Sequence, residues 1–209
     1  EVVIASSTSG IMPTRLQAQC KYPQRMIVGH PFNPVYLIPL VEIVGGKQTA
    51  PETISWAIEF YQHWGKTPLH CRTETPGHLA NRLQDALYNE VMHLIANGIA
   101  TTAELDAALT AGPGMRWALI GVFLTGHVAA GEAGLRDVLS GKFGSNVSNS
   151  KCPDVSEAML GHILESTGSQ IAGRSLKEIE NMRDEFLIGL LKLRTEIEAK
   201  YGFDQGRFL

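Results

Sequence analysis

The stretch Met26-Ile27-Val28-Gly29-His30-Pro31-Phe32-Asn33-Pro34, followed by Leu40-Val41-Glu42-Ile43-Val44, decides how this chain is read. Both apolar runs are short, β-branched and bounded by Gly or Pro, which is how buried strands read. His30 then stands at the exit of one strand and Glu42 inside the next. If the two strands are neighbours, a carboxylate in an apolar strand can accept from one imidazole nitrogen. That contact would fix the tautomer of His30 and leave its other nitrogen as a base.

Two further segments extend the pattern. Val2-Val3-Ile4-Ala5-Ser6-Ser7-Thr8-Ser9-Gly10 is a strand running into a small hydroxyl-rich turn. In open α/β sheets such turns, at the carboxyl ends of strands, are where ligands bind. Thr75-Pro76-Gly77-His78-Leu79-Ala80-Asn81-Arg82 is a Pro-Gly turn that opens a helix and places Asn81 in its first turns.

Together these pieces resemble the L-3-hydroxyacyl-CoA dehydrogenase superfamily. Its signature runs from a strand end with Ser-Thr-Ser, through His-x-x-Asn-Pro, to Pro-Gly-x-x-x-Asn-Arg, and the resemblance spans almost the whole chain. It implies that Ser9, His30, Glu42 and Asn81 are the active-site residues, with Asn33 and Pro34 completing the histidine motif. It also implies NAD as cofactor, Ser7 and Ser9 beside it, and a homodimer formed through a helical domain. The stretch from Gly112 to Gly121 departs from the acyl-CoA enzymes and looks like the branch that contains L-carnitine 3-dehydrogenase and the L-gulonate dehydrogenase known as lambda-crystallin.

The resemblance further implies a segment before Glu1 carrying Gly-x-Gly-x-x-Gly at a strand-to-helix turn, where amides hold a pyrophosphate. No such motif occurs in the sequence; Gly112-Pro113-Gly114 and the glycines from Gly126 to Gly134 lie in helical surroundings. The chain is therefore expected to be a fragment lacking most of its dinucleotide-binding half, and to bind the cofactor weakly or not at all by itself.

Composition is that of an ordinary globular protein, with 209 residues, 44% of them hydrophobic, and a formal charge of −3. A weak negative charge gives no basic stripe for nucleic acid. No apolar run is long enough to span a bilayer, so no membrane association is expected. Cys20, Cys71 and Cys152 are far apart and show no metal-ligand spacing, so they read as reduced thiols of a cytoplasmic protein, with no metal site.

The fold class expected is α/β: the C-terminal part of a Rossmann-type doubly wound sheet over residues 1–75, followed by an all-α domain over 76–209. Strands are expected at 2–6, 26–29, 40–44 and 68–72, and a helix from Pro51 to Trp64. Leu79, Leu83, Leu87, Val91 and Leu94 give a helix from about 78 to 97 an apolar face. Thr101-Thr102-Ala103-Glu104 is a capping box opening the next helix, which Gly112-Pro113-Gly114 stops. Helices follow at about 116–139 and 154–166, separated by an exposed loop over 140–150. A second capping box, Ser175-Leu176-Lys177-Glu178, opens a last helix to Tyr201, with Ile179, Met182, Phe186, Leu190, Leu193 and Ile197 along one face.

The resemblance implies a mechanism in which His30 takes the proton of a secondary alcohol, Glu42 orients His30, and Ser9 and Asn81 hold the reacting oxygen or the nicotinamide edge. The expected substrate is a small hydroxy acid, with L-carnitine favoured. Carnitine carries a quaternary ammonium, for which Trp117, Phe123 and Tyr36 are candidate aromatic partners; Arg116 is a candidate clamp for its carboxylate. Gulonate or a 3-hydroxyacyl-CoA is the alternative within the same chemistry, and a non-catalytic crystallin-like protein the alternative of another class.

Overall fold

A computed structural model describes residues 2–131, 135, 136, 139 and 156–201. The loop expected over 140–150 lies outside them. The described residues fall into two compact units, dividing after Tyr88.

The first unit is a four-stranded sheet of order β1-β2-β3-β4. Its strands are β1 (Ile4–Ser6), β2 (Met26–Pro31), β3 (Leu40–Gly45) and β4 (Thr67–Cys71). β1 pairs parallel with β2, β2 antiparallel with β3, and β3 parallel with β4. β1 is shorter than the run 2–6 expected, because Val2 and Val3 lie outside the ladder. β2 extends two residues beyond 29 and so includes His30. β4 is set one residue earlier than 68–72.

Side chains alternate between the faces of a strand, and in β2 and β3 that alternation separates packing from chemistry. Ile27, Val41 and Ile43 face helix α2 (Pro51–His63), where they form a core with Ala57, Ile54, Ile58 and Tyr61. Val28, Val44 and Cys71 form a second core with Leu16 of the short helix α1 (Pro13–Gln17). His30 and Glu42 have the parity of Val28 and Val44, so they share that second face. α1 was not expected from the sequence. Pro13 starts it, and Glu74 accepts from both the amide and the hydroxyl of Thr14 at 2.5 Å.

Helix α3 (Ala80–Ala96) begins two residues later than the sequence periodicity indicates. No residue of it is buried, and Leu83 is 73% exposed, so its apolar face is not covered by the described residues.

The second unit is helical. α4 (Thr102–Ala111) carries the expected capping box: Glu104 N–H donates to Thr101 Oγ1 and Thr101 N–H to Glu104 Oε2. Gly112-Pro113-Gly114 is a joint rather than a loop, because Pro113 occupies the first position of α5 (Pro113–Ala130). α5 thus starts earlier than expected and ends at Gly131, whose φ of +58° stops it; residues 135, 136 and 139 are again helical. Gly121, at φ +65°, interrupts α5 internally. α6 spans Glu157–Ile171 and runs further than the expected 166. α7 spans Leu176–Tyr201, opened by the Ser175/Glu178 capping box. Ile120, Leu124 and Val128 of α5 pack with Ile179 of α7. Along the rest of the α7 stripe Met182, Leu193 and Ile197 stay exposed. Among the described residues no single helix is long and apolar enough to cross a membrane; the bent pair α4 and α5 passes that test together, by length and composition only.

Candidate active site

The β2–β3 register sets His30 directly opposite Glu42. Directly opposed residues of an antiparallel pair present their side chains on one face within contact distance. The His30 Nδ1 lies 2.9 Å from Glu42 Oε2. Glu42 is fully buried and the His30 side chain is 8% exposed. A carboxylate accepts, so Nδ1 carries a proton and donates; Nε2 has no hydrogen-bond partner among the described residues.

The other oxygen of Glu42 faces a helix end. Oε1 accepts the N–H of Leu79 at 2.8 Å and of Ala80 at 2.9 Å. These amides stand at the entry of α3, one just before it and one at its first residue, where N–H groups have no partner within the helix and meet the positive end of its dipole. Burial by itself would disfavour the Glu42 charge, but the Ala80 amide, His30 and the Leu79 amide outweigh it and hold this carboxyl below the usual range. The Cys71 thiol stands 3.9 Å from Oε1. Burial first, then the Glu42 charge, pushes it up to about 11.

A second imidazole stands beside the first, at a position sequence reasoning passed over as an unspecified member of the Pro-Gly motif. His78 is 1% exposed, and its ring centroid is 5.1 Å from that of His30. Its Nε2 is 3.4 Å from the Thr8 carbonyl, and its Nδ1 is buried with no hydrogen-bond partner among the described residues. The backbone turns left-handed at both Gly77 (φ +77°) and His78 (φ +51°).

Thr8 organises the turn after β1, with its hydroxyl accepting from the amides of Gly10 and Ile11. Ser7 and Ser9 on either side are exposed, so their hydroxyls are available at the carboxyl end of β1. Asn81 is half-buried on the first turn of α3, next in the chain to Ala80. The structure thus joins His30 and Glu42 by direct contact. It sets Asn81 beside an amide that Glu42 holds and Ser9 beside the carbonyl that His78 meets. Arg116 and Trp117 belong to the second unit, on α5, where both are exposed. Trp117 makes no ring contact with Phe123 among the described residues, and Tyr36, in the first unit, is 81% exposed.

Residues 1–75 match the family described as 3-hydroxyacyl-CoA dehydrogenase, NAD binding domain, and residues 77–169 its C-terminal domain. The chain belongs to the 3-hydroxyacyl-CoA dehydrogenase family. The family similarity extends to proteins named L-carnitine dehydrogenase. That of Bacillus cereus is 49% identical over 197 residues, covering 92% of this chain and 60% of that protein. That of Pseudomonas aeruginosa is 43% identical, covering 97% of this chain and 64% of that protein. Among solved structures of the same fold, 5-formyl-3-hydroxy-2-methylpyridine 4-carboxylic acid 5-dehydrogenase, described as an NAD+ dependent dismutase, superposes with a TM-score of 0.64 at 28% identity. The match covers 91% of this chain and 63% of that one. A (S)-3-hydroxybutyryl-CoA dehydrogenase from Ralstonia eutropha gives 0.51 at 30% identity, covering 66% and 47%. The chain thus spans 60% and 64% of the length of these two curated relatives.

Proposed function

We propose that the protein containing this chain is an NAD-dependent dehydrogenase of small 3-hydroxy acids, and that it oxidises L-carnitine to 3-dehydrocarnitine. The observation that carries the reading is the His30–Glu42 pair: a buried carboxylate takes Nδ1–H and leaves Nε2 free to accept. The names of the relatives support the substrate.

In this reading His30 Nε2 takes the hydroxyl proton of the substrate. NAD, when bound, accepts the hydride from the same carbon and so supplies the redox chemistry. Glu42, kept ionised by the α3 amides, stabilises the imidazolium that forms. The exposed hydroxyls of Ser7 and Ser9 fit the polar edge of a nicotinamide. Ser9 and Asn81, both uncharged, position the reacting oxygen rather than move its proton. Arg116 clamps the substrate carboxylate, and Trp117 offers an aromatic face to the quaternary ammonium.

We place the boundary between the NAD-binding part and the helical domain near residue 75. A homodimer through the helical domain is supported by the exposed apolar residues of α3 and α7. The free thiols of Cys20 and Cys71 suit a reducing cytoplasm.

The test is NADH formation by the full-length protein with L-carnitine, L-gulonate and 3-hydroxybutyryl-CoA, beside its His30→Ala variant. Carnitine turnover that the variant loses by about a hundredfold or more is the expected result. Activity confined to either of the others overturns the substrate, and silence with all three overturns the dehydrogenase reading.

A further inference from the structure

The Nδ1 of His78 is the one fully buried side-chain nitrogen or oxygen among the described residues without a hydrogen-bond partner, and its ring lies against that of His30. A buried polar atom without a partner costs free energy and asks for a reason. So does the backbone. A left-handed backbone is unfavourable for residues other than glycine, and such strain persists only where the surroundings over-determine it. His78 bears both, at φ +51°.

The surroundings of the ring fix its proton. Nε2 faces the carbonyl of Thr8, which only accepts, and Nδ1 has no hydrogen-bond partner among the described residues. A neutral imidazole has one ring proton, and here only Nε2 gains a hydrogen bond by carrying it. His30 is arranged the other way, since its Nδ1 faces the Glu42 carboxylate. The ionisable groups gathered here are His30 on β2, Glu42 on β3 and, behind Glu42, Cys71 on β4. Glu42 has nothing left for His78, because Oε2 holds His30 and Oε1 holds the two α3 amides.

We propose that His78 is a positioning residue for the dehydrogenase site, a neutral Nε2–H imidazole that pins the Ser9 turn to the entry of α3 and packs against the opposite tautomer of His30. Three pieces that the reaction needs at fixed separations come from distant parts of the chain: the turn with Ser9, the strand with His30 and the first turn of α3 with Asn81. His78 touches the first through the Thr8 carbonyl, the second through its ring, and lies in the turn that leads directly into the third. The positioning role rests on the reading of His30 as base; the tautomer does not.

Long-range 1H–15N spectra of the full-length protein, labelled in its histidine rings, read the tautomers directly, with His78→Phe and His30→Gln assigning the signals. The expected result is Nε2–H for His78 and Nδ1–H for His30. Nδ1–H at His78 overturns the assignment, whether or not the protein oxidises any hydroxy acid, so this failure is told apart from failure of the functional reading. His78→Phe keeps the ring bulk and loses the donor, whereas His78→Gln keeps a donor for Thr8. The phenylalanine variant should shift the Thr8 and Ser9 amide signals and lower kcat by about 10- to 100-fold at little change in KM, the order expected from misplacing a site by an ångström. Glutamine should restore most of both. Unmoved amide signals in His78→Phe, or equal losses in the two variants at equal thermal stability, overturn the positioning role.

Discussion

The Oε1 atom of Glu42 accepts the amide of Ala80 at 2.9 Å, so the carboxylate that meets His30 also closes the first turn of α3. One side chain from the middle of β3 therefore sets both the orientation of an imidazole and the position of a helix entry.

Replacing Glu42 should consequently cost stability as well as activity. Glu42→Gln keeps the shape: its oxygen can still accept the Leu79 and Ala80 amides, while its NH2 donates to His30 Nδ1 and so forces the proton of that ring onto Nε2. A loss of about 1–3 kcal/mol is expected from replacing hydrogen bonds to a buried charge by neutral ones, read as a lower urea midpoint at unchanged slope. kcat should fall by about a hundredfold or more if His30 is the base.

Acid should remove this contribution. Glu42 titrates below its ordinary range when folded, so the unfolded chain binds the proton more readily than the native state. The stabilisation is fully present above the unfolded value near 4.5 and is lost as pH falls through the lower native value. Glu104, lowered by the Thr101 amide, and Glu178, lowered by the Ser175 hydroxyl, move in the same direction. Both remain in Glu42→Gln, so the difference in urea midpoint between wild type and variant isolates Glu42. That difference should be flat from pH 7 to about 5 and narrow below.

The thiols should differ sharply in reactivity. Cys71 is 4% exposed and its thiol is pushed up to about 11, so at pH 8 about a thousandth of it is thiolate. Cys20 is only partly buried. Iodoacetamide at pH 8, followed by peptide mass spectrometry, should label Cys20 in the native protein and Cys71 only after unfolding.

Gly29 should not tolerate a methyl group. A Cβ there would stand 2.5 Å from the Tyr61 hydroxyl, and Tyr61 is packed in the core between α2 and the sheet. Gly29→Ala should cost about 1–3 kcal/mol, the usual weight of overpacking, measured by thermal or urea unfolding. Because His30 is the next residue in β2, activity should fall with it.

The helix starts can be tested independently of the site. Thr101→Ala removes the hydroxyl that accepts the Glu104 amide and should destabilise by about 1 kcal/mol. Its kcat should be unchanged, since Thr101 is placed in no part of the site.

Much of this was legible in the sequence because it rests on local rules. The β-branched runs at 26–28 and 40–44, the Pro51 helix start and the capping boxes at Thr101 and Ser175 depend on residues within a few positions of one another. Period-two alternation also puts His30 with Val28 and Glu42 with Val44. Sequence left open whether β2 and β3 are neighbours; the tertiary structure pairs them antiparallel in a register that sets His30 against Glu42. It alone gives the second oxygen of Glu42 to the Leu79 and Ala80 amides, because main-chain donors carry no residue label. It alone turns His78 left-handed and inward, a conformation for which no local propensity calls. The apolar stripes of α3 and α7 mark the same limit: periodicity shows which side of a helix is apolar, whereas covering that side takes neighbours that periodicity does not name.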